Sequence, residues 1–215
     1  MQRLRIAFTR GEEIKYLSHL DLMRLWERAL RRADIPLAYS QGFSLHPRIS
    51  IAAPLPIGVI SEGELMDILL SKRFSPYYFI KAVAEQLPRG IGITGVEQVS
   101  LQLPSLQSQV RQAVYRVELT TDKLPQEVEE MIRSFMAKKH FPWQHTRDQV
   151  VRHYDIRILV DMLWLIEWQE SLCTLGMRLR NDNSATGRAE QVTLSLGFPD
   201  PPRLIQRTKL ILAGK

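Results

Sequence analysis

The order in which apolar periodicity switches along this chain restricts its fold more than any single residue does. Residues 3–9 alternate as a strand, and a helix over 19–33 follows, with Leu22, Met23, Trp26, Ala29, Leu30 and Ala33 at helical spacing. Ser18 and Asp21 form a Ser-x-x-Asp variant of the capping box at its start, and Asp34 and Pro36 mark its end. Residues 49–53 and 65–70 read as short strands separated by Pro54, Pro56 and Gly58, breakers that forbid a continuous ladder. Ser75 and Pro76 open a second helix whose stripe is Tyr78, Phe79, Ala82, Val83 and Leu87, and residues 91–99 supply another strand. Strand, helix, strand, strand, helix, strand is the order of a ferredoxin-like βαββαβ unit, an α+β arrangement on an antiparallel sheet.

Residues 101–110 are polar with one proline and read as a linker. A similar order then restarts. Ala113, Tyr115, Val117 and Leu119 share one face of a strand over 112–119, and Pro125 opens a helix running to about His140. Strands fit 150–156 and 164–179, a short helix 188–194 and a final strand 204–212, with the division between 155 and 176 left open. The expectation is two tandem ferredoxin-like units, 1–100 and 111–215, joined by the 101–110 linker. A chain of 215 residues can give each unit an ordinary core without disulfides or metals.

Apolar residues make up 45% of the chain and charged residues 24%, as in globular proteins. The apolar run 158–168 is broken by Asp161 and Glu167 and is too short to span a membrane, and the alternating N-terminus lacks the apolar core of a signal peptide, so a cytoplasmic location is expected. Cys173 is the only cysteine, which excludes an internal disulfide, a cysteine zinc site and a cluster held by several thiolates. The formal charge of +6 favours a polyanionic partner. Residues 1–50 hold nine Lys and Arg against five Asp and Glu, whereas residues 51–100 hold four against five.

The excess surrounds a loop, 39–48, that gathers a glycine, an aromatic ring, an imidazole and a guanidinium between regular elements, with Gln41 beside them. Gly42 can take positive φ, Phe43 can stack on a base, and Arg48 can hold phosphate or carboxylate bidentately. The structural alternative is a glycine turn with Phe43 in the core and Pro47 fixing the chain. His19, at the positive end of the first helix, could pair with His46 as metal-independent ribonucleases require, or act only as a helix-end hydrogen bonder. Arg24, Arg28, Arg31 and Arg32 read either as a phosphate-contacting stripe or as a solvated face carrying a Glu27–Arg31 pair. Lys138, Lys139 and His140 read as a helix C-terminus complementing its dipole. The five histidines show no metal-ligand spacing and no phosphate-binding glycine loop is present, so no cofactor is expected.

Tyr16-Leu17-Ser18-His19-Leu20-Asp21-Leu22, Arg31-Arg32-Ala33 and Tyr39-Ser40-Gln41-Gly42-Phe43-Ser44-Leu45-His46-Pro47-Arg48 resemble the radical SAM-linked protein family, a likeness continuing through Leu55-Pro56-Ile57-Gly58 and Tyr154-Asp155-Ile156-Arg157. The resemblance implies an uncharacterised module, found alone or fused behind a cobalamin-binding radical SAM protein, and hence a radical SAM partner. Ser44-Leu45 stands where that family commonly has Asn-Pro. A radical SAM enzyme needs three cluster cysteines, so this chain is not itself that enzyme. The reading is an accessory module that engages RNA, tRNA or rRNA, beside a separate radical SAM protein. The alternatives are a nuclease or RNA-modifying enzyme using His19 and His46, and a protein-docking domain for the radical SAM enzyme.

Overall fold

Leu4, Ile6 and Phe8 alternate along strand β1 (Gln2–Arg10) and are fully buried, so they share the face that receives the helices. The computed structural model describes residues 1–147 and 150–214, which divide into two compact units, Met1–Val110 and Arg111–Lys215. In the first unit β1 is followed by α1 (His19–Arg32), β2 (Ile49–Ile51), β3 (Ile60–Leu70), α2 (Pro76–Ala84), β4 (Ile93–Val99) and a one-turn helix, α3 (Leu106–Gln109). The sheet runs β4-β1-β3 with β2 added to β3, and every pairing is antiparallel. Its register sets Gln2 opposite Leu70 and Arg10 opposite Ser61.

Helix α1 begins where its sequence requires. Ser18 Oγ accepts the Asp21 N–H at 3.2 Å and donates to the Asp21 carboxylate at 2.6 Å. It ends at Asp34, whose φ of 52° is left-handed, ahead of Pro36. Leu22, Trp26, Ala29 and Leu30 are buried, and the Trp26 ring meets Phe8 edge to face at 5.0 Å. On α2 only Phe79 and Val83 are buried; Tyr78, expected in the stripe, is 63% exposed, because the one-residue offset from Phe79 turns it outward.

The opposite face of β1 carries charge. Arg3 and Arg5 are buried and share Asp67 of β3, each Nε donating to the carboxylate at 2.8 Å. Arg3 also donates to the Leu103 and Pro104 carbonyls, so the 101–110 stretch is fastened to the sheet, with Leu106 buried. Strand β3 starts five residues before the expected 65, because Glu62, Gly63 and Glu64 disguise its first turn as loop.

The second unit comprises β5 (Val110–Thr120), α4 (Pro125–Ala137), β6 (Pro142–Arg147), β7 (Val150–Asp155), β8 (Val160–Gln169), β9 (Leu172–Arg180), α5 (Ala189–Leu196) and β10 (Leu204–Leu212). Its main sheet runs β10-β5-β9-β8, and β6–β7 is a separate hairpin. Ala113, Tyr115, Val117 and Leu119 are all buried. The division left open between 155 and 176 falls into two antiparallel strands joined at Glu170 and Ser171, with Glu170 at φ 51°. The apolar run continues on both sides of that two-residue turn, which hides it from periodicity. On the sheet, the Trp164 ring occupies the space a Cβ on Gly176 would need, its nearest ring atoms within 2.3 Å of that point. Across the described residues the protein is mixed α+β, with five helices and mostly antiparallel strand pairing.

Candidate nucleic-acid interface

Residues four apart on a helix stack one above another, so Arg24, Arg28 and Arg32 form a single row on α1. The row borders a groove of about 570 Å³ whose apolar floor is Leu17, Leu25, Leu87 and Pro88. Arg24 lies 3.5 Å from Asp21, the one carboxylate in the lining. Arg32 is held by the Gln86 carbonyl at 2.7 Å and its side-chain oxygen at 3.2 Å. Between them, the Arg28 side chain is exposed and makes no hydrogen bond or ion pair among the described residues. Arg31 is not part of this row: it pairs with Glu27 at 2.7 Å on the next face. The four-arginine stripe thus divides into three groove residues and one solvated pair.

The 39–48 loop is a narrow hydrogen-bonded hairpin. Ser40 N–H donates to the His46 carbonyl at 2.8 Å, and Arg48 N–H to Ala38 at 2.9 Å. Ser40 Oγ accepts the His46 N–H at 3.0 Å and donates to the Ser44 carbonyl at 3.3 Å. At the tip, Gly42 has φ 118° with open space where a Cβ would lie, so glycine is needed there for backbone conformation and not for room. Phe43 is not in the core. Its relative exposure is 113%, and Leu45 beside it is 63% exposed. Gln41, His46 and Arg48 are exposed too, and the chain carries no carboxylate between Asp34 and Glu62.

The two histidines are anchored at opposite ends of the first unit. His19 opens α1 just after β1 finishes opposite Ser61, whereas the loop is tied to Leu69 and Leu70 at the far end of β3. The fourteen residues of α1, about 21 Å of helix, run between those ends. Among the described residues neither imidazole takes a hydrogen bond or an ion pair, so nothing joins them as an acid–base couple. The turn into α1 is set by a residue that alternation alone conceals: buried Arg10 donates to the carbonyls of Ile14, Lys15 and Leu17.

In the second unit, α4 stops at Ala137, before the expected His140. Lys138 stands 4.4 Å over the Phe141 ring, and His140 Nδ1 lies 2.7 Å from Asp155. Lys138 is the residue that ends α4, its N–H donating to the Phe135 carbonyl, and the His140–Asp155 contact ties the segment after it to β7. The Phe141 N–H, then His140 and the Arg157 N–H, hold the Asp155 carboxyl below the usual carboxylate range. Burial pushes the Cys173 thiol up to about 11. Among the described residues, no group of three His, Cys, Asp or Glu side chains is placed to hold a metal ion, and no helix is long and apolar enough to cross a membrane.

The chain belongs to a family described as uncharacterised proteins conserved in bacteria, DUF2344, whose model matches residues 3–188. No curated protein matches it in sequence. In fold it is similar to a chain in the crystal structure of a Cbf5-Nop10-Gar1 complex, with TM-score 0.54 and 10% identity over 96% of this chain and 48% of that one. It is also similar to a chain of an H/ACA RNP bound to a substrate RNA containing 2'-deoxyuridine, with TM-score 0.51 and 10% identity over 96% and 47% of the two chains. A third similar structure is an archaeal box H/ACA sRNP Nop10-Cbf5 complex, with TM-score 0.50 and 9% identity over 95% and 46%. The chain therefore spans about half the length of the solved chains it resembles, and the likeness concerns fold alone. None of these matches names a radical SAM protein.

Proposed function

We propose that this chain is a cytoplasmic RNA-binding accessory protein made of two ferredoxin-like units, within 1–100 and 111–215, which meets the phosphate backbone along Arg24, Arg28 and Arg32. The architecture is supported by strand order: counting main-sheet strands, each unit sets its fourth beside its first, its first beside its third and its third beside its second. The β6–β7 hairpin is then an insertion in the second unit. The observation that carries the function is the unpartnered Arg28 between two positioned guanidiniums, over an apolar floor and facing a single carboxylate. Arg28 offers its charge to a phosphate without first breaking a protein ion pair, flanked by Arg24 on Asp21 and Arg32 on Gln86. Two of the matched solved structures are described as H/ACA RNP assemblies, one of them with a substrate RNA bound, an analogy of fold that agrees with this reading.

Transfer RNA and ribosomal RNA are the proposed targets. A separate radical SAM protein is the proposed partner, on the strength of the 16–48 resemblance alone. Binding of purified protein to total tRNA and to rRNA at several salt concentrations tests the first part. Affinity tighter than micromolar that weakens with salt is expected, and its absence contradicts the proposal. Retention of the radical SAM partner in an RNase-treated pull-down tests the second.

A further inference from the structure

We infer that the 39–48 hairpin is a nucleobase-capturing finger, in which Phe43 stacks on an unpaired base of the RNA. This rests on the RNA-binding reading and specifies its substrate as single-stranded or looped RNA. The hairpin is built, since Ser40 bonds to both His46 and Ser44 and the root is fixed to Leu69. Its tip nevertheless carries a phenyl ring with both faces in water, turned out by a glycine at φ 118°. An ordered loop that holds an aromatic ring in water, with exposed Leu45 beside it, leaves that ring available to a partner.

Charge complementarity selects the partner. The finger contains no carboxylate, and none occurs from 35 to 61; His46 and Arg48 at its root are exposed cationic or polar donors without a side-chain partner. A single ring with two open faces, flanked by such donors, matches a base and its adjoining phosphate. Bases in a duplex are already stacked and paired, so the finger needs one that is splayed out.

The test is equilibrium binding of a single-stranded RNA oligomer containing 2-aminopurine, and of its fully paired duplex, to wild type, Phe43→Ala, Phe43→Leu, Phe43→Trp and Arg28→Ala. Phe43 is fully exposed, so its variants should fold as wild type does. Phe43→Ala and Phe43→Leu should lose roughly ten- to a hundred-fold in single-strand affinity, with duplex affinity unchanged. Phe43→Trp should retain affinity and the fluorescence change, and Arg28→Ala should weaken both RNAs alike. Single-strand binding by Phe43→Ala equal to wild type, or retained by Phe43→Leu, overturns the finger and leaves the groove standing. An equal loss on both RNAs overturns it as well. Failure of wild type to bind either RNA removes the RNA-binding reading and the finger with it.

Discussion

The fold treats two groups of arginines differently, a half-buried set on strands and an exposed row on a helix. On strands β5 and β9, Arg116 lies between Glu118 and Glu167, Arg178 pairs with Asp161, and Arg180 with Asp182 and Ser184. On α1 the groove row has one carboxylate among three guanidiniums, and Arg28 has no partner among the described residues. Paired arginines on a sheet must give up a carboxylate before they can take a phosphate, whereas Arg28 in the α1 row exchanges only water and counterions. A third group, buried Arg3 and Arg5 on Asp67, is structural, because removing the carboxylate would strand two guanidiniums in the interior. Similar residues thus hold a sheet together or face outward according to what lies within reach.

The largest effect should come from the structural group. Asp67→Ala is expected to cost about 3–5 kcal/mol in denaturant unfolding, and a loss under about 1 kcal/mol would place that trio with ordinary exposed pairs. Next, Arg28→Glu should weaken tRNA binding about tenfold or more while Arg178→Glu changes it little; equal losses would erase the distinction between the two surfaces. Gly42→Ala should destabilise the hairpin by about 1 kcal/mol through its positive φ, seen as faster amide exchange at Ser40 and His46 with the core unaffected.

The smallest effects are in pH dependence. The Asp182 carboxyl is held well below the usual range by Ser184 and then Arg180, and Asp155 is lowered by the Phe141 N–H. Depressed carboxyl groups stabilise the fold above their ordinary value of 3.8, and that contribution is lost as pH falls through it toward their folded values. Asp182→Asn should therefore flatten the acid limb of the stability profile. Cys173 has the opposite sign: its thiol is favoured neutral, so its contribution is present below 9.0 and lost as pH rises toward about 11. Native protein at neutral pH should leave Cys173 unreactive toward thiol reagents.

Local chemistry made α1 legible. Ser18, Asp21 and the apolar stripe are short-range signals, and Glu27 four residues before Arg31 announced the pair that removes Arg31 from the groove. The remaining partners are distant in sequence. Gln86 positions Arg32 and Asp67 joins Arg3 to Arg5, neither of which periodicity can register, and even the nearby Arg10 shapes the turn into α1 through backbone carbonyls that carry no sequence signal. Phe43 illustrates the same boundary, since a ring beside a glycine gives one local pattern whether it turns into the core or out to water. The supposed His19–His46 pair was a matter of two side chains on the two sides of one helix, and only strand register sets their anchors at opposite ends.

The salt dependence of tRNA binding, measured for wild type and Arg28→Ala in parallel, bears most directly on the α1 row as an RNA surface. The logarithm of affinity should fall linearly with the logarithm of salt concentration, with the Arg28→Ala slope shallower by about 0.7–0.9. Identical slopes for the two proteins, or an affinity indifferent to salt, would contradict it.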